Sequence, residues 1–185
     1  MDIYTKVAGI TQESVKDYKH HTLPNHVLSR QEMKTKQIEN ALRGFAAGCA
    51  EEDIEAYCNT GAFSNGKKGF LFSKKGLYGS MFNHLRKKNP ISQPICYDEL
   101  SDVSVAGDSA DYMCLCYKDG RRESVCGSIY TGFLVTALKL ILGTGEENLS
   151  APNTDGMLIN DESSESEYSY ETARRCLKEG LDALE

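Results

Sequence analysis

Between about Gln31 and Ala50, apolar residues recur at three- and four-residue spacing. Ile38, Ala41, Leu42, Phe45, Ala46 and Cys49 make one stripe, with Lys36, Glu39 and Arg43 on the opposite side. That period predicts an amphipathic helix. A shorter helix is expected over residues 12–20, ended by the backbone restriction around Pro24. The segment EEDIEAYCN (51–59) reads as one more helical turn, its acids placed where the helix dipole favours them. From Gly66 the period shortens. GFLFS and GLYGSMF are β-type runs joined by SKKG, which predicts a hairpin with a left-handed glycine, Gly76, at its turn.

Further strands are expected at ISQPICY, VSVAG, DYMCLCYK and RESVCG, separated by the turn-rich DELSD, GDSA and KDGR. In DYMCLCYK both alternating sets are apolar: Tyr112, Cys114 and Cys116 against Met113, Leu115 and Tyr117. This pattern predicts a central strand with core-filling cysteines. An apolar helix from Ser128 to Leu142 follows. Then comes a Gly-, Ser- and acid-rich stretch that reads as a linker, and a final helix striped by Ala173, Cys176, Leu177, Leu181 and Leu184. The expected organisation is an N-terminal helical extension (1–60), a β-domain with its capping helix (61–143), an acidic linker (144–168) and a C-terminal helix (169–185).

Composition narrows the class. The 185 residues are 40% hydrophobic and 26% charged, enough apolar material for a core without staples. The net charge of −6 argues against a general nucleic-acid binder. Seven cysteines, an odd number partly inside apolar strands, and no leader-like N-terminal run predict reduced thiols in a cytoplasmic protein. The run Ser124–Leu142 approaches membrane-spanning length, but it holds Lys139 and two glycines and is expected to be a buried helix.

Charge is unevenly distributed. No acid occurs between Gly61 and Tyr97, where Lys67, Lys68, Lys74, Lys75, Arg86, Lys87 and Lys88 fall. No base occurs between Leu140 and Ala173, where eight acids fall. The hairpin lysines are expected first as solvated turn and edge residues. As candidate ligand-binding residues they form, with Arg86, Lys87 and Lys88, a basic patch for an acidic partner or anionic surface.

The succession of an introductory helix, GAFSNGKKGFLFSKKGLYGS and ISQPICYDELSDVSV resembles the bacterial pleckstrin-homology-like domains. Gly66, Gly69, Phe72, Ser73, Gly76, Leu77 and Tyr78 match the family's hairpin, and Tyr97, Asp98, Glu99 and Leu100 match its next element. The resemblance spans about residues 51–142. It implies an α+β fold: a partly open, pleckstrin-homology-like antiparallel β-barrel capped by a C-terminal helix, here with extra helices at both ends. It also implies a binding or assembly module and no enzyme. The capping helix lacks the Trp of eukaryotic relatives, and their phosphoinositide-binding pattern is only loosely echoed by Lys68, Lys74 and Lys75.

Other chemistry is thin. His20, His21 and His26 sit around Pro24 in what is expected to be a surface loop, without the helical spacing of a metal pair. Residues 151–162 mimic a calcium loop but start with Ala151 where the first ligand belongs. No nucleophile elbow or dinucleotide loop is present, and neither a catalytic residue, a metal nor a cofactor is implied. The expectation is a non-catalytic, cytoplasmic interaction or assembly module whose amphipathic helices support a protein partner or self-association. The alternative is a small-ligand-binding protein or small enzyme with a pocket at the barrel mouth, using His84 and nearby cysteines.

Overall fold

The computed structural model describes residues 1–62, 64–80, 82, 93–106 and 111–144. Two short helices, α1 (Ile3–Ala8) and α2 (Gln12–Val15), precede strand β1 (His26–Ser29) and helix α3 (Thr35–Arg43). Strands β2 (Ile54–Asn59), β3 (Gly69–Ser73), β4 (Gly76–Gly79) and β5 (Ile95–Cys96) follow. The last group is β6 (Leu100–Val105), β7 (Tyr112–Tyr117), β8 (Arg122–Cys126) and helix α4 (Thr131–Leu142). Short 3₁₀ turns at Glu51–Asp53, Tyr97–Glu99 and Ser128–Tyr130 lead into β2, β6 and α4.

The strands form two antiparallel sheets, β1-β2-β3-β4-β5 and β6-β7-β8. The class is α+β, with a helix following the second sheet. Both sheets are open, and no ladder among the described residues joins them.

The five-stranded sheet is buried on both faces, which explains its near-continuous apolar runs. Ala56, Cys58, Phe70, Phe72 and Leu77 face the main core. Ile54, Tyr57, Leu71 and Tyr78 face the other way, onto Met33, Ile38, Ala41, Phe45 and Ala46 of α3 and its flanks. The stripe expected between 31 and 50 is therefore the cover of a sheet. The regular helix stops at Gly44, whose backbone (φ −107°, ψ −114°) is not helical.

Helix α4 is apolar on nearly all sides because it is enclosed on both. It packs against β6 and β7, and also against α1 and α2. Phe133 meets Phe72 edge-on, with ring centroids 6.5 Å apart. On the other side Val7, Ile10 and Val15 join the same core. The Lys6 Nζ donates to the Leu140 carbonyl at 2.7 Å, satisfying an orphan acceptor at the helix end.

Three expectations are corrected here. The segment 51–59 is a 3₁₀ turn followed by β2, because its apolar residues pair with β3, Tyr57 opposite Leu71 and Cys58 opposite Phe70. His26 is not in a loop but opens β1, opposite Asn59. The segment DELSD (98–102), expected as a turn, supplies the first three residues of β6, Leu100 pairing with Tyr117. The calcium-like loop, the acidic linker and the C-terminal helix expected beyond residue 144 lie outside the described residues.

Candidate ligand-binding surface

The β3–β4 hairpin carries the lysines. Phe72 pairs with Leu77, so Lys74 and Lys75 are the two residues of the tip between Ser73 and Gly76. The buried Ser73 hydroxyl organises that tip. Its Oγ accepts from the Lys75 and Gly76 amides (3.2 and 3.1 Å) and donates to the Gly76 carbonyl at 2.9 Å. Gly76 is not left-handed, contrary to expectation. A Cβ there would stand 2.6 Å from the Ile95 carbonyl oxygen and 2.8 Å from the Pro94 side chain, so the glycine lets β5 approach closely.

The tip lysines are exposed but committed. Lys75 Nζ is 3.2 Å and Lys74 Nζ 3.9 Å from the two carboxylate oxygens of Asp53. Lys74 also donates to the Glu52 carbonyl at 2.9 Å, and its amide to the Asp53 carbonyl at 2.9 Å. The Tyr97 amide donates to the Lys75 carbonyl, bringing the Tyr97–Glu99 turn alongside. Glu51 of the Glu51–Asp53 turn is paired with Arg30, which leaves Asp53 as the carboxylate that both tip lysines share. A free anion has little to gain at this tip.

Lys67 and Lys68 are exposed at the other end of β3. The Lys67 amide donates to Asn65 Oδ1 at 3.1 Å, and the Lys68 carbonyl accepts from the Tyr57 hydroxyl at 2.8 Å. Six residues of extended chain separate Lys68 from Lys74, about 20 Å at the usual strand rise. Screening acts over about 8–10 Å at physiological salt, so the two pairs are electrostatically independent. The structure does not bring them into one patch. Ser80, just past β4, is tied to Gly69 by two hydrogen bonds of 3.0 Å, so the chain leaves the hairpin at the Lys67/Lys68 end. Arg86, Lys87, Lys88 and His84 lie outside the described residues.

The histidines do not converge. His20 Nε2 is 2.9 Å from an Asp111 carboxylate oxygen, His21 Nδ1 contacts the Tyr18 carbonyl at 3.0 Å, and His26 is in β1. Among the described residues no group of three or more His, Cys, Asp or Glu is arranged to hold a metal.

The cysteines divide in two. Cys58 fills the core as expected, and burial pushes its thiol well up. Cys114, Cys116 and Cys126 are only half-buried, which corrects the core-filling expectation for them. Strand β7 is central as expected, but only Met113, Leu115 and Tyr117 of it are buried.

Sequence reasoning missed Asp53, whose only signal is an acidic triplet before a strand. It also missed two polar atoms, Tyr97 Oη and Thr136 Oγ1, which are buried without a hydrogen-bond partner among the described residues. Burial first, then the nearby Cys49, pushes the Tyr97 phenol well up. No helix among the described residues is long and apolar enough to cross a membrane. Compared with known proteins, the chain matches no family model, no curated protein and no solved structure.

Proposed function

We propose that this chain is a non-catalytic interaction module of pleckstrin-homology-like type that binds an acidic protein partner. The observation that carries the reading is the order of its elements. Consecutive antiparallel strands β2 to β5, then β6 to β8, are followed by a single helix packed on the second sheet. That order is what a partly open barrel with one capping helix requires, with β1 added at the edge. Binding uses the Lys67/Lys68 end of the hairpin together with Arg86, Lys87 and Lys88, which follow Ser80 in the chain. The Lys74/Lys75 tip, held on Asp53, belongs to the scaffold.

Polyglutamate serves as a probe of an acidic partner. Exposed ion pairs are worth under about 1 kcal/mol each, so reversing two lysines should weaken binding by up to about tenfold at low salt. Lys67→Glu with Lys68→Glu is expected to produce that loss, and Lys74→Glu with Lys75→Glu to leave binding within about twofold. Equal losses for both pairs, or no binding by the unaltered chain at low salt, would overturn the reading.

A further inference from the structure

The outer face of the three-stranded sheet gathers thiols that neither the core nor the lysine surface uses. Met113, Leu115 and Tyr117 of β7 point into the core, so Tyr112, Cys114 and Cys116 share the opposite face. The register sets Ser104 and Ser124 on either side of Cys114, and Asp102 and Arg122 on either side of Cys116. Cys126 lies on the same face, directly across from Tyr112. Cys114 and Cys116 are free, half-buried thiols two residues apart on one face of the strand.

Two residues apart along a strand, their Cα atoms are separated by about 6.6–6.8 Å. Disulfides span about 4.4–6.8 Å and prefer about 5.5–6 Å, so a direct sulfur–sulfur bond would have to draw the strand together. A bridging ion with metal–sulfur bonds of about 2.3 Å reaches two sulfurs up to about 4.6 Å apart. The spacing thus suits a bridging atom better than a disulfide. Because no third donor of the metal-ligating types is arranged with them among the described residues, the ion must accept two ligands. Zinc in closed sites takes four, and calcium and magnesium take oxygen. Soft thiolates select Cu(I) among the first-row ions.

We propose that Cys114 and Cys116 form a two-thiolate clasp for a soft, low-coordinate ion of the Cu(I) class. On binding, two S–H bonds break, two protons pass to solvent and two metal–sulfur bonds form, with no change of oxidation state. Burial, then the neighbouring Cys116, pushes the Cys114 thiol up; Asp102 adds to this and the Arg122 guanidinium opposes it. Proton release makes affinity rise with pH.

The test is titration of the reduced full chain with Cu(I), without oxygen, against a chromophoric chelator. Cys114→Ser and Cys116→Ser are each expected to lose one tightly held equivalent, while Cys126→Ser and Cys49→Ser keep it. Asp102→Asn should tighten binding and Arg122→Gln weaken it, each several-fold near neutral pH. Both cysteines are half-buried, so their serine variants should keep the far-ultraviolet dichroism of the parent, which is checked in parallel. Phenylarsine oxide gives a second readout. Its As=O oxygen leaves as water with the two thiol protons, and two As–S bonds form, adding one phenylarsenic to the peptide containing residues 114 and 116. Retention of the equivalent by either Cys114→Ser or Cys116→Ser, its loss in Cys126→Ser, or an arsenical found only on other cysteines would overturn the proposal.

Discussion

At Tyr97 a phenol hydroxyl is buried with no hydrogen-bond partner among the described residues, a position where desolvation costs free energy. Removing that oxygen should therefore help or be neutral. Tyr97→Phe is expected to raise the urea midpoint, or leave it unchanged, whereas most buried truncations lower it. Ser73 is the opposite case, because its hydroxyl serves three hydrogen bonds inside a two-residue turn. Ser73→Ala should cost about 1–3 kcal/mol in the same measurement, by leaving buried backbone groups unpaired. Two other phenols set an alkaline limit. Burial, the leading cause in both, pushes Tyr57 and Tyr78 up to about 12 from an ordinary 10.0. Between pH 10 and 12 the folded state keeps protons that the unfolded chain has lost. Stability is therefore fully present below pH 10 and falls as pH rises toward 12. Unfolding followed by phenolate absorbance should show that fall, and Tyr57→Phe should flatten it.

At the scale of elements, legibility followed locality. Strands β3, β4 and β7 and helix α4 were readable because each is an apolar run bounded by turn residues. Strand β8 was readable from the turn before it, and β6 only from Val103 on, because DELSD reads as a turn. Helix α3 was readable from its stripe, although Gly44 shortened it. Strand β2 was not, since an acidic triplet before apolar residues also fits a helix start, and only pairing with β3 decides between them. Strand β1 has four residues and is held by that same non-local ladder. The candidate surface divides the same way. The lysine pairs were visible, but the carboxylate that holds two of them is Asp53, 21 residues upstream of Lys74, and no local pattern announces that contact. Helix α4 yields a test at this scale. A Cβ on Gly132 would stand 2.6 Å from the His20 carbonyl oxygen and 2.7 Å from Tyr18 Cβ, while the Gly132 amide donates to that carbonyl at 3.0 Å. Gly132→Ala should thus force the 18–20 segment off the helix, lowering the melting temperature despite the better helix propensity of alanine. A raised melting temperature would mean that propensity outweighs the close contact.

For the described part of the molecule as a whole, the first twenty-two residues decide whether α4 is a buried helix or an exposed apolar one. They contribute Val7, Ile10 and Val15 to the main core, the Lys6 contact to the Leu140 carbonyl, and the Thr22 amide donating to the Ile129 carbonyl at 3.3 Å. Burying three such side chains is worth about 1.5–3 kcal/mol each. Their sum is comparable with the about 5–15 kcal/mol that separates folded from unfolded states in ordinary domains. Removal also uncovers the side of α4 that these helices protect, leaving an apolar helix in water. A chain beginning at residue 23 is therefore expected to lose cooperative unfolding and to bind a hydrophobic dye, as loosely packed states do. The smaller change Lys6→Met separates packing from capping. It keeps the apolar stem, removes one charged donor to a helix-end carbonyl, and should cost about 1–2 kcal/mol while unfolding stays cooperative. If the chain from residue 23 unfolds as cooperatively and at the same midpoint as the full chain, the N-terminal helices are accessories. The core would then have to close over α4 without them.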